Sequence, residues 1–179
     1  MTELLILVDE KDNEIGFLDK LSVHEQGKLH RAFSLFIFNS KGELLLQQRA
    51  DEKYHSPGLW SNTCCSHPRF GEKMKDAVDR RLKEELGLAC KMQHLFSFTY
   101  KTQFSNGLIE HEFDHVYTGI TDDIPVPNAG EVKDWRYISL QGLQKEIIER
   151  PDDYTEWLKI CLPEVLIRFD QKNNEKVSI

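Results

Sequence analysis

The 179-residue chain has no long apolar run, no surplus of basic residues and only four cysteines. Each shortage removes a class of protein. No stretch approaches the roughly 18 to 20 apolar residues of a membrane span. The opening "MTELLILVDEKDNEIG" lacks the basic flank and longer apolar core of a secretion signal, so a cytoplasmic chain with no membrane partner is expected. Lys and Arg number 23 against 30 Asp and Glu, for a net charge of −7. That balance argues against nucleic acid, whose phosphates demand surplus cations, but allows a local basic pocket for a small anion. Cys64, Cys65, Cys90 and Cys161 include no CxxC and form no disulfide framework. Adjacent Cys64 and Cys65 would bridge only through a strained ring, and in an extended segment their side chains point apart. The stretch "SNTCCSHP" (61–68) is therefore not read as a redox pair. No repeat or low-complexity tract precedes the polar tail "DQKNNEKVSI" (170–179), which reads as a frayed end.

What remains is a chain of the right size for one compact domain with its own core, spanning 1–179 with a core at about 4–165, and a monomer. Apolar runs at 4–9, 32–39 and 43–49 predict strands, the last two joined by a hairpin at "SKG". The spacing of Met74, Val78, Leu82 and Leu86 predicts a helix over 73–87 that stops on Gly87. Strands are expected at 92–101, 108–118 and 131–138, with "PVPNAGE" as a loop. From Ser139 the pattern turns helical, and a further helix is expected from Asp152 or Asp153 with a bend near Pro163. Strands, a helix, more strands and final helices make an α/β (α+β) mixed-sheet layer architecture.

The densest chemistry lies in "LIEHEFDHVY" (108–117). On a strand, Glu110, Glu112 and Asp114 share one face while Ile109, His111 and Phe113 take the other. Three like charges together are either a solvated edge or the carboxylates around a bound cation. His24, His30 and His67 are the histidines placed to complete such a site. His24 and His30, six residues apart, share no helical face and would converge only from a loop. No structural-zinc spacing is present. Pro68 biases His67 toward extended backbone, which sets Cys65 on the same side as His67.

The segment "GEKMKDAVDRRLKEELGL" resembles the Nudix box, the loop-helix signature of enzymes that handle diphosphates with magnesium. Glu72, Arg80, Leu82, Glu84, Glu85, Gly87 and Leu88 fit it, whereas Ser66 replaces its opening glycine and Arg81 replaces a glutamate. Losing that carboxylate should weaken a hydrolytic metal cluster. Taken in order, "LHRAFSLFIFN", "LLLQQRADEKYHSPGLWSNTCCSHP", "RRLKEELG" and "GLIEHE" resemble the type I isopentenyl-diphosphate isomerase family, a Nudix-fold branch that rearranges its diphosphate, over about residues 4–165.

That resemblance implies a Nudix-like mixed sheet sandwiched by helices and a small-molecule diphosphate substrate. It implies His24, His30, His67, Glu110 and Glu112 as ligands of one divalent metal, manganese, magnesium or zinc. Cys65 and Glu112 stand at its catalytic positions, and Tyr100 at that of its active-site tyrosine. Glu85, with the Cys65 carbonyl, corresponds to a magnesium site formed with the diphosphate. Lys20, Arg49, Lys53 and Arg81 correspond to residues gripping the diphosphate, and Trp157 to the active-site tryptophan. Two departures are visible: Ser66 stands where a glycine is usual, and the His24 to His30 separation is one residue short. The rival expectations are a Nudix-type diphosphate hydrolase and a noncatalytic metal- or diphosphate-binding domain.

Overall fold

Strand β3 (His30–Phe38) is the axis of the molecule, because its alternating side chains supply two separate cores. Phe33, Leu35 and Ile37 face one layer, and Phe36 and Phe38 face the other. That is the period-two consequence of a strand covered on both sides. The computed structural model describes residues 3–53 and 55–177, with the side chains from 170 onward outside the described residues.

The remaining strands are β1 (Leu4–Val8), β2 (Glu14–Asp19), β4 (Leu44–Arg49), β5 (Trp60–Ser61), β6 (Cys64–Ser66), β7 (Gln93–Gln103), β8 (Ile109–Ile120) and β9 (Val132–Ile138). All belong to one mixed sheet. β3 pairs in parallel with β8, His30 opposite Glu112 through Phe38 opposite Ile120, and antiparallel with β6, Ser34 opposite Cys65. β7 pairs antiparallel with β8, Tyr100 opposite Glu112. These registers line up His30, Glu112 and Tyr100 across three neighbouring strands.

Helix α2 (Met74–Leu86) covers one face through Ala77, Val78, Leu82 and Leu86. It ends on Gly87 in the left-handed conformation, as its spacing predicts. Helices α3 (Leu140–Glu149) and α4 (Glu156–Val177) cover the other face through Leu143, Leu158, Cys161, Leu162 and Val165. The expected mixed sheet between helices is the observed one. The last helix opens at Glu156, because Pro151–Asp153 forms a separate 3-10 turn, and it runs through Pro163. The expected frayed end is helical in its backbone to Val177, while its side chains and residues 178–179 lie outside the described residues.

Strand β2 and helix α1 (Lys20–Gln26) are not among the elements expected from the sequence. His24 and His30 were expected to meet from a loop, but His24 sits on α1 and His30 opens β3. The connection works because Gly27 caps α1 at φ 59, the region glycine enters without penalty. A Cβ there would lie 3.0 Å from the Ile109 side chain. Asp19 caps the other end, its carboxylate accepting from the Ser22 amide at 3.0 Å.

Candidate active site

Glu110, Glu112 and Asp114 do share a face of β8, but that face is buried rather than solvated. The ligand atoms of His24, His30, His67, Glu110 and Glu112 all lie within 4.8 Å of one another. The Nε2 atoms of His30 and His67 face each other at 3.2 Å, and Glu110 Oε2 lies 3.3 Å from His24 Nε2. Two of the tautomers are fixed by backbone. His24 Nδ1 donates to the Lys20 carbonyl at 2.6 Å and His30 Nδ1 to the Lys28 carbonyl at 2.9 Å. A carbonyl only accepts, so each Nε2 presents its lone pair to the cluster, the arrangement found behind metal-bound imidazoles.

Burial pushes His67 down to about 3, and it also lowers His24. The imidazoles of His24 and His67 are therefore neutral at neutral pH, the form that can ligate a metal. Burial and then the charge of Glu112 raise the Glu110 carboxyl far above the usual range. Burial works the same way on Glu112, but its contacts with His30 and His67 override it and hold that carboxyl low. Without a cation Glu110 keeps its proton beside ionised Glu112; a divalent cation among the five side chains would favour the ionised form of both and balance their charge.

Next to this cluster lies a cleft lined by Lys20, Arg49, Lys53, Arg81, Cys65 and Trp157, with Glu85 and Tyr100 also in its wall. It gathers every site residue marked in the sequence except His24 and His30, which lie buried behind it in the cluster. Tyr100 OH donates to Glu112 Oε2 at 2.7 Å, while His67 Nε2 lies 2.9 Å from Glu112 Oε1. Burial, followed by the charge of Glu112, holds the Tyr100 phenol well above its ordinary pKa. The Cys65 thiol donates to Asn62 Oδ1 at 2.9 Å and accepts from Trp157 Nε1 at 3.0 Å. Burial pushes this thiol up to about 12.

Cys64 turns the other way and is fully buried beside Leu35, Ala77 and Leu82, and both cysteines are free. Cys64→Ala should leave turnover within about twofold and cost about 1 kcal/mol of stability. Steady-state assays and denaturant unfolding check this, and a large loss of turnover would reverse the assignment of the pair.

The cleft cations already have partners. Arg81 contacts Glu85 Oε1 at 2.5 Å, Glu84 at 2.7 Å and Glu131 at 3.3 Å. Lys53 pairs with the same Glu131, and Lys20 lies 3.4 Å from Glu3. Arg49 donates to the carbonyls of Ser56 and His55, both at 3.2 Å, and its guanidinium lies 5.2 Å from the Trp157 ring centre. Arg80, on the box motif, holds Glu72 through two bonds of 2.7 and 2.8 Å and so ties the preceding loop to α2.

Three neighbours carried no mark in the sequence. Asn62, fully buried, donates to the carbonyls of Leu35 and Cys64, so its oxygen must face Cys65. Ser34 donates to Asp114 at 2.7 Å beneath the same thiol. His55 lies 3.1 Å from Glu110. Lone polar residues in "KYHSPG" or "SNT" have no period or spacing that marks them.

A buried three-histidine, two-carboxylate cluster that could hold a metal ion thus lies beside a cleft lined by four basic residues, on a mixed sheet between helices. The NUDIX domain family model matches residues 28–158. DR0079 from Deinococcus radiodurans has a similar structure, with a TM-score of 0.73 and 22% identity over 88% of this chain and 96% of that one. The MutT NUDIX hydrolase from Burkholderia pseudomallei follows with a TM-score of 0.61 and 22% identity, over 76% of this chain and 98% of that one. Those likenesses concern the fold. In sequence, the chain is 52% identical to isopentenyl-diphosphate Delta-isomerase 2 of Aromatoleum aromaticum, covering 93% of this chain and 88% of the relative. It is 48% identical to isopentenyl-diphosphate Delta-isomerase of Pectobacterium atrosepticum, covering 92% of each. The chain belongs to the isopentenyl-diphosphate Delta-isomerase family of NUDIX-domain proteins.

Proposed function

We propose that this protein interconverts isopentenyl and dimethylallyl diphosphate by moving one carbon–carbon double bond. The observation that carries the reading is the presence of two proton-carrying groups in one cleft, the Cys65 thiol and the Glu112–Tyr100 pair. The rearrangement adds a proton at one carbon and removes one at another, through a tertiary cation-like state. It therefore needs a donor and an acceptor, each in reach of the hydrocarbon. The thiol holds its proton at neutral pH and Glu112 has lost its own, so the resting site holds one group of each kind. After each turnover the two have exchanged protonation states, and proton exchange with solvent between substrates returns a proton to the thiol and removes one from the carboxyl.

Trp157 lines the cleft, and an indole face stabilises positive charge by about 2 kcal/mol when desolvated. Enclosure keeps out the water that would turn the cation into an alcohol. Lys20, Arg49, Lys53 and Arg81 take the diphosphate, since each lines the same cleft. Their ion pairs with Glu3 and Glu131 are exchanged for phosphate oxygens on binding.

The five-residue cluster would hold one divalent cation, which would increase the acidity of a coordinated carboxyl. Three imidazoles and two carboxylates exceed the four ligands of tetrahedral zinc and offer more nitrogen than magnesium favours, so manganese fits best. Glu85, buried and bonded to Gln47 and Arg81, retains lone pairs for a magnesium ion arriving with the diphosphate, alongside the Cys65 carbonyl. All residues of the proposed site come from one chain, which supports a monomer; among the described helices none is long and apolar enough to cross a membrane.

The decisive test is incubation with isopentenyl diphosphate and divalent metal in D2O, followed by NMR. Deuterium-labelled dimethylallyl diphosphate is the expected product. Phosphate release would establish the hydrolase reading instead, and unchanged substrate would establish the noncatalytic one.

A further inference from the structure

His55 belongs to no motif and to no predicted ligand set, yet it is buried at the meeting point of the metal cluster and the cleft. Its Nε2 lies 3.1 Å from Glu110 Oε1. The two cluster carboxylates are thereby held in the same manner. Glu112 is gripped from within the cluster by His67 and from outside it by the Tyr100 hydroxyl. Glu110 faces His24 with Oε2 and receives its outside contact, on Oε1, from His55.

The ring of His55 is itself fixed on several sides. It stacks on Phe104 with centres 5.2 Å apart and planes 8° from parallel, and it meets the Trp157 ring edge-on at 5.7 Å. Its carbonyl accepts from Arg49, and the next residue, Ser56, adopts a positive φ of 48. A left-handed serine is strained backbone, and such strain persists where surrounding contacts over-determine a loop. Here the contacts are those that aim the imidazole.

We propose that His55 is a positioning residue that orients the Glu110 carboxylate for the metal cluster and couples that cluster to the aromatic wall formed by Phe104 and Trp157. A hydrogen bond to one carboxylate oxygen leaves the other aimed at the centre. Partners of this kind typically carry 10- to 100-fold in metal affinity. The inference rests on the metal reading of the five-residue cluster, and its test separates the two.

Metal-free protein is titrated with Mn2+ while free Mn2+ is followed by electron paramagnetic resonance. His55→Phe keeps an aromatic ring against Phe104 but donates nothing, and should weaken Mn2+ binding about 10- to 100-fold. His55→Gln restores a donor at the same reach and should recover most of that loss, with metal-free melting temperatures of both variants close to the parent. A merely structural role would show the reverse, since Gln would lose the stacking that Phe preserves. Wild-type affinity in His55→Phe overturns the proposal. Should that variant fail to fold, His55→Ala carries the same expectation and the same refutation. If the unmodified protein itself binds no Mn2+, the cluster reading falls, and this inference with it.

Discussion

Cys65→Ala should lower turnover by at least about 10³-fold while leaving the fold and the metal content unchanged. General acid–base groups contribute about 10² to 10⁴, and no neighbour replaces this one. Ser61 Oγ, 3.6 Å from the sulfur, and Ser34 Oγ, 3.9 Å from it, are hydroxyls with far weaker acidity. Asn62 and the Trp157 indole hold the thiol but have no proton to exchange with carbon. Substrate affinity should change little, because the diphosphate cations lie elsewhere in the cleft. Isomerase assays with circular dichroism and metal analysis check this, and near wild-type turnover would remove Cys65 from the mechanism. A second measurement tests the environment. A thiol raised to about 12 is neutral at pH 7, so its alkylation by iodoacetamide should be slow and should accelerate about tenfold per pH unit across the alkaline range.

Glu112→Gln should be at least as damaging and should differ in kind. The amide keeps the size of the side chain and a partner for Tyr100, but it loses both the acid–base function and one negative charge of the cluster. Turnover should fall by about 10³-fold or more, and metal affinity should fall with it. Loss of metal together with loss of rate, set beside a Cys65 variant that retains its metal, would separate the residue that serves both centres from the one that serves only the chemistry. Full activity in Glu112→Gln would refute the assignment.

The registers of β3 against β8 and β6 explain why so much chemistry converges from distant segments. Placing His30 opposite Glu112 and Ser34 opposite Cys65 fixes the floor of the site with ordinary ladder hydrogen bonds. A one-residue slip would turn every ligand on β8 to the other face.

The sequence by itself determined the strands with strong apolar patterns, helix α2 with its glycine stop, and the grouping of Glu110, Glu112 and Asp114 on one face, because these follow from local periods of 2 and 3.6 residues. It also carried, through ordered motifs, the likeness that brought Cys65, Glu85 and the distant basic residues into one hypothesis. Only the tertiary structure decided that the β8 carboxylates are buried, since burial depends on what β3 and β7 set beside them. It alone showed α1, whose seven residues are too few for a clear period and which is held by its caps on Asp19 and Gly27. It alone brought His55 to Glu110 and Asn62 to Cys65, because a single polar side chain in an irregular loop acquires its meaning from what the fold places against it.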